Sequence, residues 1–130
     1  MAIDHDYLTG FTEGTGTFTY SRVGNGVTLY FAIKSYAKDL SLLLKIRDYF
    51  QAGKVYRGKA GKSQWVYFRV NKLGELIKVV AHFERYPLLG AKQFAFEVWK
   101  EMVACKRRKL DKDKVKLLEL AEKLSRANGA

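Results

Sequence analysis

The sequence predicts an α+β fold: a four-stranded, mostly antiparallel sheet with its helices on one face. Three observations predict it. The apolar residues change from a helical period to a period of two and back, twice, before the chain settles into helices. Glycine-rich turn signals separate the runs of period two. Hydrophobic residues make up 48% of the 130, enough to fill one core, so residues 1–130 are read as a single domain.

Residues 5–14 are expected to form the first helix, capped by Asp4 or Asp6, with Leu8 and Phe11 one turn apart. In "TFTYSRV", residues 17–23, Thr17, Thr19 and Ser21 alternate with Phe18 and Tyr20. "GNG" at 24–26 is a hairpin signal. "VTLYFAIK", residues 27–34, sets Val27, Leu29, Phe31 and Ile33 against Thr28, Tyr30, Ala32 and Lys34. Residues 37–50 read as an amphipathic helix lined by Leu40, Leu43, Leu44 and Ile46. A strand then runs into the turn "GKAGK", residues 58–62. Its partner "SQWVYFRV", residues 63–70, sets Val66, Phe68 and Val70 against Trp65, Tyr67 and Arg69. Helices follow over 72–86, 91–109 and 111–129. Pro87, the only proline, divides the first two, and Asp111 or Asp113 caps the last.

Several classes are excluded. No apolar run approaches the ~18–20 residues of a membrane span. The N-terminus lacks a basic stretch followed by an apolar one, so no signal peptide is expected. An intracellular protein without a membrane partner follows, in a prokaryotic cytoplasm or an organelle. Cys105, the only cysteine, forbids an internal disulfide or a paired-cysteine zinc site and reads as a small buried side chain.

The net charge of +11, from 24 basic and 13 acidic residues, costs self-repulsion and fits a polyanionic partner. With helices on one side of the sheet, the other is left to Thr17, Thr19, Ser21, Thr28, Tyr30, Lys34, Lys54, Tyr56, Trp65, Tyr67 and Arg69. Hydroxyls and basic ends can read base edges, and Lys and Arg neutralise phosphates. This face is the candidate surface for double-stranded DNA.

The stretch "LTGFTEGTGTF", residues 8–18, is the least ordinary. A glycine inside a helix costs roughly 0.5–1 kcal/mol relative to alanine, yet Gly10 and Gly14 stand one turn apart. Positions without side chains on one stripe let a second backbone approach closely. One such helix per chain points to a two-fold partner, a homodimer with Leu8, Gly10, Phe11 and Gly14 in its interface.

These residues resemble a known family. "YLTGFTEGTGTF" is similar to the signature of the LAGLIDADG homing endonucleases, with Leu8, Gly10, Phe11, Glu13, Gly14, Gly16, Thr17 and Phe18 falling on its pattern. "FAIKSYAKDLSLLLKIRDYFQAGKVY" resembles the family's strand–helix–strand segment, including Asp39, Phe50 and Gly53. "HFERYPLLGAKQFAFEVWK" resembles its later connector and helix. A single motif in a short chain is similar to the homodimeric branch. The resemblance implies an αββαββα fold whose saddle-shaped sheet straddles a long, partly palindromic DNA site. It implies motif helices packed at the dyad, each delivering a carboxylate and a glycine carbonyl to divalent metal, usually magnesium. The reaction would be hydrolysis of one phosphodiester per strand.

The same comparison isolates a departure. The family's metal-binding acid stands just before the last motif glycine, and that position is Thr15. A neutral hydroxyl does not supply the charge that holds a hard divalent cation. Glu13 lies two residues earlier, about 200° around the helix, and the carbonyl of Gly14 remains. The implied metal set is therefore Gly14, Thr15 and Glu13, with Lys92 the nearest basic candidate for the catalytic site. Three readings stand: a DNA-binding member whose cleavage is impaired at Thr15, a cleavage-competent intron-encoded endonuclease using Glu13, and an RNA-binding protein that assists splicing.

Overall fold

The computed structural model describes residues 2–24, 26–58, 64–109 and 112–129. Asn25 of the hairpin signal, most of the glycine-rich turn and the Asp111 cap lie outside the described residues. Helix α1 spans His5–Thr15, and its cap is Asp4, whose carboxylate accepts the Asp6 amide at 3.3 Å. It runs straight into β1 (Gly16–Val23), which turns back into β2 (Gly26–Tyr36). A single 3-10 turn (Ala37–Asp39) leads into α2 (Leu40–Phe50), followed by β3 (Lys54–Arg57) and β4 (Trp65–Val70). Helices α3 (Leu73–Arg85), α4 (Lys92–Arg108) and α5 (Lys112–Gly129) complete the described fold. This is the expected α+β order, with two helices beyond the αββαββα unit.

The strands pair antiparallel in the order β1-β2-β4-β3, so β2 and β4 are interior. Alternation settles which way each residue points. Phe18, Leu29, Phe31, Ile33, Val66, Phe68 and Val70 are buried under the helices. Phe18 is central: its ring lies 5.1–5.3 Å from those of Phe31, Phe83, Phe96 and Trp99, which join β2, α3 and α4 to β1. Full burial of such a ring contributes about 1.5–3 kcal/mol. The Trp99 indole donates to the Thr19 carbonyl at 3.1 Å, so the packing also satisfies its polar edge. Helix α5 closes the far side of β1, where the Asn128 amide donates to the Phe18 carbonyl at 2.9 Å.

One detail of α2 differs from expectation. Its core stripe is Leu43, Ile46 and Phe50, with Leu40 and Leu42 half-buried beside it, and Leu44 is not part of it. At 100° per residue Leu44 lies about 200° around α2 from Ile46, the middle of the stripe, and so falls off it. Gly53 follows α2 at φ +82°, where a Cβ would sit 2.7 Å from the Arg69 carbonyl oxygen. Only glycine lets β3 come this close to β4.

Under α1 lies a buried histidine whose tautomer is set by its neighbours. The Thr9 hydroxyl donates to the Tyr86 carbonyl at 3.0 Å, so it accepts from Nε2 of His82, also at 3.0 Å. Nδ1 is left to accept the Tyr49 hydroxyl at 2.8 Å. Burial, assisted by the nearby His5, pushes the His82 pKa down to about 4. The unfolded chain therefore binds the proton first. Stability is full above the ordinary histidine value of 6.5 and is lost as pH falls towards 4, by about 3 kcal/mol in all. Denaturant unfolding at pH 7.5 and pH 5 should show this loss for the native chain. The part between pH 6.5 and 5 should vanish in His82→Gln, whatever its baseline stability.

Candidate nucleic-acid interface and the end of the first helix

The four strands contain no aspartate or glutamate. On the side away from the helices stand Thr17, Thr19 and Ser21 of β1, Thr28, Tyr30 and Lys34 of β2, Lys54 and Tyr56 of β3, and Trp65, Tyr67 and Arg69 of β4, all exposed or half-buried. Between them runs a trough of about 590 Å³ whose floor is Ala32, with Tyr30, Tyr67, Tyr56 and Arg69 among its walls. The Lys34 ammonium lies 4.2 Å from the centre of a Trp65 ring, and Trp65 stacks on Tyr36 at 4.8 Å. Tyr36 belongs to this face and escaped the sequence reading, although strand parity from Lys34 points to it.

The face begins where α1 ends, and that end is crowded with donors. The backbone amide of Gly16 bonds to the Thr12 carbonyl. A Cβ on Gly16 would meet the Thr12 methyl at 2.5 Å, so the direct passage from helix to strand requires glycine. The Lys92 ammonium, from the start of α4, donates to the carbonyls of Gly16 at 2.6 Å and Thr12 at 3.2 Å. Burial holds its pKa below the usual lysine value, and the charge of Glu13 opposes that shift. The Thr15 hydroxyl turns back to the Phe11 carbonyl at 2.6 Å. One Glu13 oxygen accepts two amides of the connector before α4, Leu89 at 2.6 Å and Gly90 at 2.8 Å.

These partners bear on metal binding. A hard divalent cation takes several oxygens, carboxylates foremost. Here the hydroxyl at position 15 is spent on its own helix, and the carboxylate at position 13 holds a loop. The carbonyls of Thr12 and Gly16 already face an ammonium. With one neutral hydroxyl and a carboxylate already accepting two amides, this donor set does not fit the ion. Among the described residues, the other group of ligand-type side chains is Asp4, His5 and Asp6, at the opposite end of α1. The expected interface set also needs a correction. Gly10 and Gly14 are open, with nothing within 4 Å of an added Cβ, and Phe11 is half-buried. Leu8, however, is fully buried in the chain's own core. It sits two residues from Gly10, about 200° around the helix, and so faces the other way.

The model of the LAGLIDADG endonuclease family matches residues 8–103. The chain belongs to this family. A LAGLIDADG domain accounts for the sheet as well as the motif. The solved homing endonuclease I-TnaI superposes with a TM-score of 0.83 at 26% identity, over 98% of this chain and 97% of that one. The LAGLIDADG meganuclease I-CpaMI, solved bound to uncleaved DNA, gives 0.82 at 27% identity, over 92% of this chain and 43% of that one. A curated relative, "Probable intron-encoded endonuclease 3" of Neurospora crassa, is 30% identical over 104 residues. That segment covers 75% of this chain, but the chain spans only 19% of the relative's length. LAGLIDADG endonucleases generally use a divalent metal. No described helix is long and apolar enough to cross a membrane.

The role of Glu13 can be measured directly. Glu13→Ala should cost about 1–2 kcal/mol in urea unfolding, since two charge-assisted bonds are lost at a partly solvated site. It should also speed hydrogen exchange at the Leu89 and Gly90 amides, whereas Glu13→Gln, which keeps an acceptor, should do less of both.

Proposed function

We propose that residues 1–130 form one site-specific, double-stranded DNA-binding unit that acts as a homodimer, with cleavage impaired at Thr15. The observation that carries this reading is the pairing of an acid-free, basic and hydroxyl-rich sheet face with a helix end that lacks the metal-binding carboxylate. Family membership supports the DNA target, and I-CpaMI was solved on DNA. The open stripe of Gly10 and Gly14 supports the dimer. The alternative in which Glu13 cleaves loses its support, because that carboxylate already holds the connector. The relative in Neurospora crassa is named as intron-encoded, and an intracellular setting, cytoplasmic or organellar, suits a DNA ligand.

On this reading Thr12, Gly16 and Lys92 fix the direction in which β1 leaves the helix, and so present Thr17 and Thr19 to the duplex. Lys34 and Lys54 meet phosphates. The trough takes base edges. No step is assigned to magnesium, for which the residues present do not form a site.

Two experiments test it. Incubated with Mg²⁺ and a library of long duplexes, the native chain should bind a selected set without cutting, and Thr15→Glu should cut that set. Cleavage by the native chain overturns the impairment, and failure of both to select any duplex in a salt-dependent way overturns the DNA assignment. For the dimer, Gly10→Leu and Gly14→Leu should still fold, because no atom of the same chain lies within 4 Å of an added Cβ and leucine favours helix by up to ~1 kcal/mol, while the melting temperature loses only what the dimer contributed. In sedimentation these variants should run as monomers where the native chain runs as a dimer.

A further inference from the structure

The DNA-facing reading of the sheet leaves open which side chain chooses a base. We propose that Arg69 reads a guanine in the major groove of each half-site and that Tyr30 aims it; this rests on the proposed DNA binding. Arg69 is on β4 and Tyr30 on β2, the two interior strands. In register, Arg69 faces Ala32 on one side and Lys54 on the other. The alanine methyl leaves room, and the guanidinium crosses it diagonally to lie 3.8 Å from the centre of the Tyr30 ring. A free arginine loses rotamer entropy when it is fixed, and the stack on Tyr30 restricts it beforehand.

The guanidinium's hydrogen bonding shows what it awaits. Its Nε is buried and has no hydrogen-bond partner. No carboxylate stands on any of the four strands to take its terminal nitrogens. The nearest registered charge, Lys54, is of the same sign. With Nε closed off, the two terminal nitrogens remain as a flat fork in the lining of the trough. Guanine presents two coplanar acceptors, N7 and O6, that match such a fork, and the arginine–guanine pair carries much of direct readout in the major groove. A phosphate contact asks only for charge, which the exposed Lys34 and Lys54 supply without a fixed plane.

The test is selection from a randomised duplex pool by the native chain, Arg69→Lys, Tyr30→Phe and Tyr30→Ala, each first shown to melt like the native protein. The native consensus should contain a guanine whose preference falls roughly 5- to 100-fold in Arg69→Lys, with other positions unchanged. Tyr30→Phe, which keeps the ring face, should retain that preference. Tyr30→Ala should relax the same position and no other, an outcome that general destabilisation does not produce. If Arg69→Lys weakens all sequences alike, if the relaxed base is not guanine, or if Tyr30→Ala relaxes a different position, the proposal is overturned. Salt-dependent binding without sequence choice by the native chain would end the base reading and leave DNA binding standing. Failure to bind any duplex would end both.

Discussion

The last carbonyls of a helix have no donors of their own, and the structure is organised around how α1 meets that need. It ends without a loop. Gly16 lies against Thr12, and the Lys92 ammonium of α4 closes on the carbonyls of both. Glu13, one turn back, takes the amides of the connector that delivers α4. One point thus ties the first helix, the first strand and a helix some 80 residues later. The direction fixed there sends Phe18 into the core, where four rings surround it, and Thr17 out to the open face. A positive charge at a helix C-terminus is also favourable in its own right.

On the proposed reading, the same point changes what the site asks of a metal. A carboxylate at position 15 would face the charge of a DNA backbone and would need a cation between them. Threonine removes that requirement, and its hydroxyl serves the helix instead. A strand face without a single acid then offers DNA no local repulsion. On the proposed reading, affinity no longer depends on a metal, while the chemistry that needed one has lost its ligand.

Much of the fold was legible because half-buried strands have a period that cannot be mistaken. A slip of one residue would put Phe31 and Phe68 in water and Lys34 in the core. Helix α2 was legible except for Leu44, which stands about 200° from Ile46 and so off the buried stripe. The motif made position 15 readable at once. Its surroundings were not readable, since the bonds from Glu13 to Leu89 and Gly90, and from Lys92 to Gly16, join residues more than seventy apart with no local pattern. Leu8 was misplaced because the i, i+3 relation to Phe11 ignored the rotation that sets it opposite Gly10. The Tyr30–Arg69 stack is a diagonal contact, which needs register as well as alternation.

Ala32 has a consequence of another kind. Among the residues that line the trough it has the smallest side chain, and it leaves the space between its larger neighbours. A longer polar residue there would stand beside Arg69 and could address a neighbouring base pair without disturbing the aromatic core beneath. The empty place on the sheet is therefore also the place where a change of target would require the least rebuilding. A lineage that drifts between DNA sites, or an engineer who redirects one, would find its simplest variable at this position.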